Sequence, residues 1–417
     1  VVAQAVTLSF GAEPVAEDGN SDTNLTVDFG FACLTTVTNT NDSGPGSLRE
    51  AIGCANGTPG LDTIDVDIPG AGVHTIQLNS PLPQISDAVV IDGTTQAGFA
   101  GTPLVELDGT AAGRRVSGLT FIRRGGGSTI RGLAINRFDG HGILISRSDG
   151  NRIEGNGIGV PGPPGTCSPA GGVCPAVGVI RAANRRDGVL IESSGNFVGG
   201  AADGAGNTIG GNLQNGIRLR GEGNTVQGNA IGINPTNSFP LSNGADGVRI
   251  TSGTGNRVSG NSFFENGALG IDLANRGPNA NDAPDDPDTG VNNLQNTPEI
   301  ASALIAGANL AIEYSVPSSV DNADYPLTVE FFLADVDGQE GKIFLGSQFF
   351  TAPGDASVSL PAGPVVDGSY IVATATDAAG NTSEFSAGFP ALASPLAAPN
   401  AATAVDDVFA TDWSAYL

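Results

Sequence analysis

Methionine is absent from this 417-residue chain, lysine occurs once (Lys342), tryptophan once and histidine twice. Only 15% of residues are charged, and 18 Lys and Arg stand against 43 Asp and Glu, a formal net charge of -25. So acidic a surface repels phosphate backbones and anionic lipid, which argues against nucleic-acid binding and peripheral membrane anchoring. No run of 18 or more apolar residues occurs, so no segment reads as a membrane span. The four cysteines lack zinc-ligand spacing. They fall into two local pairs, Cys33 with Cys54 and Cys167 with Cys174, and read as two disulfides of a protein outside the cytosol. Val1-Val2-Ala3-Gln4-Ala5 has the small-x-small pattern of a signal-peptidase site, in keeping with a secreted or cell-surface location, although no basic or apolar segment precedes it.

What the chain has instead is 62 Gly, 26 Pro and many Asn, Thr and Val, a composition of short strands joined by turns. Two units alternate through its middle. One is Asn-x-(Ile/Val)-x-Gly-Asn, as in Asn151-Arg152-Ile153-Glu154-Gly155-Asn156, with further copies at 207–212, 224–229 and 256–261 and a degenerate one at 196–200. The other is Gly-(Ile/Val)-x-(Ile/Leu), opening at Gly142, Gly188, Gly216, Gly247 and Gly270. These glycines are 46, 28, 31 and 23 residues apart, so one turn takes 23 residues plus insertions, and the longest step holds an extra rung or a large loop. Each unit reads as a short strand with inward Ile, Val or Leu, followed by Gly and Asn where the chain bends through positive φ. Such a strand cannot bury itself alone. Stacked turns pair in parallel, close an apolar interior and let Asn at matching corners hydrogen-bond along the stack, which predicts a parallel β-helix. Residues 63–68, 74–78, 88–92, 104–107 and 116–122 read as its first rungs. Ser47-Leu48-Arg49-Glu50 is a capping box opening a helix over 48–56 with Leu48, Ala51, Ile52 and Ala55 on one face, suited to cover the open end, with Cys54 stapled to Cys33.

Residues 38–52 (Thr-Asn-Thr-Asn-Asp-Ser-Gly-Pro-Gly-Ser-Leu-Arg-Glu-Ala-Ile), the Asn-Gly repeats and residues 285–296 together resemble bacterial secreted right-handed parallel β-helix proteins with a Ser-Leu-Arg-Glu-Ala cap. The resemblance covers residues 32 to 390 and implies architecture more than activity. Beyond Asn296, strands expected at 310–316, 327–333, 343–349, 357–360 and 369–376 suggest a β-sandwich, and residues 377–385 are similar to the last hairpin of a bacterial immunoglobulin-like module. Residues 6–31 resemble the final strands of B-type repeats of surface adhesins, and 403–411 the first strand of cadherin-like adhesin modules, each without its body. Either the chain is a piece of a longer adhesin or these ends find partners on neighbouring copies by strand addition, giving a head-to-tail homo-polymer. The expected fold is all-β: a segment 1–31, a capped right-handed parallel β-helix 32–296, an immunoglobulin-like β-sandwich 297–390, and a linker with a terminal strand 391–417.

Several β-helix proteins degrade polysaccharides, so a lyase or glycoside hydrolase is the competing function. Asp139, His141, Arg147, Asp149 and Glu154 are candidates there, with Asp187, Glu192, Asp246 and Asp272 on later rungs, but they form no recognisable motif. Arg218, Arg249 and Arg257 read as charges balanced by acidic neighbours, or as a stripe for an acidic glycan. Calcium is the expected ligand, at Asp282, Asp285, Asp286 and Asp288 in a proline-braced loop and at Asp335, Asp337 and Glu340. Residues 161–186, with the Cys167–Cys174 pair, read as a projecting loop. The function these features imply is a non-catalytic, extracellular structural or adhesive spacer, not an enzyme, that joins neighbouring adhesin modules or copies of itself and meets a glycan or cell surface.

Overall fold

In the computed structural model, the residues described are 33–160, 182–233, 240–274, 276–282, 285–287 and 289–394. The chain divides into Val1–Leu34 and Thr35–Leu417. The first segment's predicted strands, the Cys167–Cys174 pair and the terminal strand 403–411 lie outside the described residues.

Three parallel sheets of eight, seven and six strands run through the Asn-Gly repeats, and their hydrogen-bonded neighbours are successive coils. Ile143–Ser146, for example, pairs in parallel with Val189–Glu192, that strand with Ile217–Arg220, then Val248–Ser252 and Ile271–Leu273. The predicted parallel β-helix is therefore present. The 46-residue step holds no extra rung, since Val189 sits directly on Ile143. Inward side chains stack in rows: Ile64, Ile91, Ile130, Ile153, Val198, Val226 and Val258 in one sheet, Ile76, Leu107, Ile135, Ile158, Ile209, Ile231 and Phe263 in the next. All are fully buried. Each contributes about 1.5–3 kcal/mol by leaving water.

The first coil is covered by the helix Leu48–Gly57. Ser47 Oγ accepts from the Glu50 N–H, and Glu50 reaches back to the Gly46 N–H rather than to that of Ser47. Leu48, Ala51, Ile52, Cys54 and Ala55 are buried, and Arg49 ties the helix to Asp42 at 2.6 Å. Cys33 and Cys54 are both disulfide-bonded.

The repeated glycines serve two different needs. Gly155, Gly228 and Gly260, within the Asn units, have φ of 61°, 67° and 58°, as predicted for a bend. The glycines opening the other unit do not have positive φ, which corrects that expectation. A Cβ on Gly142, Gly188, Gly216 or Gly247 would stand 2.7 Å from the carbonyl oxygen of the equivalent glycine one coil on. They are glycine because the coils close to backbone contact there.

After the coils come two four-stranded sheets sharing one core, built round Tyr314, Leu327, Val329, Phe331, Phe350 and Ile371. One contains Asp355–Pro361, Asn309–Ser315, Glu299–Ala306 and Leu392–Ala393; the other Gly341–Phe350, Leu327–Ala334, Tyr370–Thr376 and Phe389–Pro390. Glu299–Ala306 was not expected from the sequence, and residues 392–393 extend a sheet where a linker was expected.

Two measurements check this account. Gly216→Ala should lower stability by about 1–3 kcal/mol in chemical denaturation, because its methyl meets a backbone oxygen that cannot give way. Ile217→Ala, which empties a fully buried row position, should cost about 2–5 kcal/mol.

Candidate functional site at the end of the coil stack

A parallel stack leaves every second N–H of its last strands without a following coil, and buried donors need acceptors. The two-sheet module supplies them from side chains. Gly255 N–H donates to Asn381 Oδ1 at 2.6 Å, Val258 N–H to Thr382 Oγ1 at 3.0 Å and Gly260 N–H to Glu330 Oε2 at 2.9 Å. Asn266 N–H donates to Glu340 Oε2 at 3.1 Å, and Leu273 N–H to Glu384 Oε1 at 2.9 Å. Phe385 packs edge-on between Phe263 of the last coil and Phe332 of the module, with ring centroids 5.4 and 5.5 Å apart. Gly270, last of the stacked glycines, meets the Phe385 ring where its predecessors meet the next coil.

The asparagine columns end here as well. In one, the Nδ2 of Asn151 donates to Asn196 Oδ1, Asn196 to Asn224, and Asn224 to Asn256, at 2.9–3.0 Å. Asn256 then gives its backbone N–H to Asn292, whose Nδ2 donates to the Thr382 carbonyl. A second runs Asn156, Asn207, Asn229, Asn261. The third runs Asn184, Asn212, Asn243, Asn266 and finishes on Glu340 Oε1 at 2.9 Å. Glu340 was expected as a calcium ligand; instead both its oxygens receive Asn266. Burial pushes its carboxyl up to about 8, further raised by Asp335 and Glu265 and opposed by the Asn266 bonds. Burial likewise raises Glu330 and Glu384, against the N–H groups they accept.

Beside the joint, Asp272 is fully buried and Arg249 lies between it and Asp246, at 3.2 and 3.4 Å. Burial pushes Asp272 to about 7, with Asp246 adding to the rise and Arg249 opposing it. A cavity of about 200 Å³ lies alongside, lined by Asp246, Leu269, Arg276 and Gln339 among others.

The other expected site residues do not converge. His141 is buried at a coil corner with its Nδ1 3.3 Å from Asp187 Oδ2, and Asp187 also takes Asn215 Nδ2 at 2.6 Å. Burial alone would raise Asp187; His141, Arg218 and Asn215 together hold it below the ordinary carboxylate range. Asp139 is on the outside, held low by the Arg115 N–H and by Arg185. Arg218 pairs with Asp187 and Arg249 with Asp246 and Asp272, which is the charge balance expected of them. Asp286 Oδ2 accepts from Gln295, the Asn296 N–H and Ser318, and Asp335 Oδ1 from the Gln339 and Glu340 N–H groups. Asp282 and Asp285 share the Asp286 loop, Asp337 is exposed, and Asp288 is outside the described residues. Among the described residues, no group of three His, Cys, Asp or Glu is placed to hold a metal.

Glu330, Asn381, Thr382 and Glu384 were not singled out by sequence. One cue was there: Leu327–Ala334 and Tyr370–Thr376 have Phe331-Phe332 and Ile371-Val372 side by side, as strands buried on both faces do. The segment 377–385, expected as a hairpin, is the contact that lies on the last coil.

No family model and no curated protein matches the chain. Among solved structures, full-length tailspike protein 2 of the Escherichia coli O157:H7 bacteriophage CAB120 aligns at 10% identity over 84% of this chain and 68% of that one, with a TM-score of 0.16. A likeness that slight carries no argument; the fold rests on the strand pairing itself.

The Glu340 carboxyl sits at about 8 when folded against an ordinary 4.5, so the folded chain holds a proton that the unfolded chain has released. Its contribution to stability is full below pH 4.5, falls as the pH rises and is lost above about 8. Glu340→Gln, a neutral isostere, should flatten that part of the melting-temperature profile between pH 5 and 9. Parallel profiles for the two proteins would show that Glu340 is ionised throughout.

Proposed function

We propose that this protein is an extracellular, non-catalytic structural or adhesive element: a stiff coil stack whose end module, of immunoglobulin-like kind, joins it to further modules or to copies of itself. The observation that carries this reading is the sealed joint. Five backbone donors of the last coil and two asparagine columns pass into the module, so the two cannot hinge without breaking buried hydrogen bonds. Breaking one such contact costs about 1–3 kcal/mol, and they break together. The engagement of His141 and Asp187 in a closed corner, with Asp139 outside it, supports a structural role for the residues that an enzyme would need. The disulfide supports an oxidising location. The adhesin resemblance of the terminal segments supports joining by strand addition. For the loop 281–288 the proposal includes calcium, with Asp282 and Asp285 as the described carboxylates that would take part.

Electron micrographs of the purified chain test the reading: straight particles that lengthen with protein concentration are expected, and deletion of residues 403–417 should shorten them if the terminal strand contributes to the joint. Turnover of a glycan panel, abolished by His141→Ala or Asp139→Ala, would replace it with the hydrolase or lyase reading. EDTA should lower the melting temperature; an unchanged transition removes calcium from the proposal.

A further inference from the structure

Charge is distributed unevenly along the chain. Residues 114–200 carry 11 of its 18 cationic residues, whereas residues 277–417 carry 19 of its 43 acids against the single Lys342. The cations are concentrated at two corners flanking one sheet. At one corner Arg114 and Arg115 lie next to Arg185 and Arg186: the Arg115 N–H and the Arg185 guanidinium both reach Asp139, and the Arg186 N–H donates to the Gly140 carbonyl. At the other, the turn holding Arg123 and Arg124 adjoins that holding Arg147, through the Gly127 N–H and the Asp149 carbonyl. All seven are exposed, and only Arg185 has an ion pair among the described residues. Between the corners run Leu119–Phe121, Ile143–Ser146 and Val189–Glu192, whose outward row is Thr120 and Leu144, both half-buried, and Leu190, which is buried, so the accessible part of this face is its two arginine corners.

A second observation points at the same side chains. Arg115, Arg124 and Arg147 have φ of 58°, 76° and 56°, a region where Gly or Asn would sit with less strain. Four of the ten described non-glycine residues with positive φ are arginine, and three of those four are these exposed, unpaired ones. The guanidinium groups are kept at a backbone cost that no contact within the described chain offsets.

We propose that this arginine-flanked face binds the acidic two-sheet module of a second copy of the chain. The occupant is argued from charge: the module exposes Asp285, Glu299, Glu313, Asp321, Asp324 and Asp355, among others, with no cation but Lys342 to oppose them. A face midway along the coils and a complementary surface on the module after the last coil make a heterologous contact, which repeats without closing and so builds a filament. The chain's overall negative charge does not prevent it. The face lies four coils, about 19 Å, before the last strand, beyond the ~8 Å over which charges are felt at physiological salt. This inference rests on the joining role proposed above and names its partner and surface.

The test is sedimentation velocity of the full chain at rising concentration, in about 0.15 M and 0.5 M NaCl, beside small-angle scattering. Self-association that weakens with salt is expected. The triple variant Arg115→Gly, Arg124→Gly, Arg147→Gly removes three charges where glycine suits the backbone, so its melting temperature should be unchanged or higher while association falls by about tenfold or more. Glu313→Gln, Asp321→Asn, Asp324→Asn and Asp355→Asn together should weaken it comparably. Association that is salt-insensitive, or equal in the triple variant and the parent, overturns the inference. So does a chain that stays monomeric yet binds polygalacturonate through these arginines, which would make the partner an acidic glycan. A stiff monomer by scattering defeats only this inference, whereas a hinged one defeats the rod reading.

Discussion

Every coil of this protein is completed by the next. Backbone N–H groups, asparagine side chains and even the space beside the stacked glycines are matched only when another turn lies on top, so the stack must always be handed on to something. Within the repeats the problem solves itself, because each coil is nearly the same as its neighbour. At the ends it must be solved by different chemistry. The amphipathic helix does this at one end by covering apolar side chains, and the two-sheet module at the other by presenting oxygens where the next strand's carbonyls would have been.

The two solutions differ in how visible they are in the sequence. The coils could be read because Asn and Gly recur at fixed places and Ile, Val and Leu alternate between them, and the column Asn151, Asn196, Asn224, Asn256 follows from those motifs directly; the copy at 207–212 is out of phase, since Asn207 stacks between Asn156 and Asn229 and Asn212 belongs to the third column. The helix could be read because Ser47, Glu50 and the apolar residues at helical spacing are local. The distal joint could not. Glu330, Glu340, Asn381, Thr382 and Glu384 come from three separated segments, and a lone buried Glu looks the same in a sequence as an exposed one. Glu340, three and five residues from Asp337 and Asp335, read as part of a cation-binding loop when it is the terminus of a column of amides. The third column was partly hidden as well, since Asn184 and Asn243 stand outside any clear repeat.

The glycines show why residue type alone underdetermines the cause. Gly228 and Gly216 belong to the same repeating pattern twelve residues apart, and one answers to a left-handed bend while the other answers to a carbonyl oxygen 2.7 Å away. Either cause would leave the same letter. Charge is similar: composition reports an acidic protein, but the arginines gathered at two corners make part of its surface the opposite. Local fields, not the total, set what a neighbour meets at physiological salt.

All three asparagine columns point the same way, each amide donating toward the module, and each coil presents to its successor the pattern it receives from its predecessor. The joint therefore senses only the type of the final coil and not how many precede it. Whole coils can be duplicated or lost in the interior with neither seal redesigned, so reach is adjustable in single-coil steps while both terminations stay fixed. A molecule built this way separates the distance it spans from the contacts it makes.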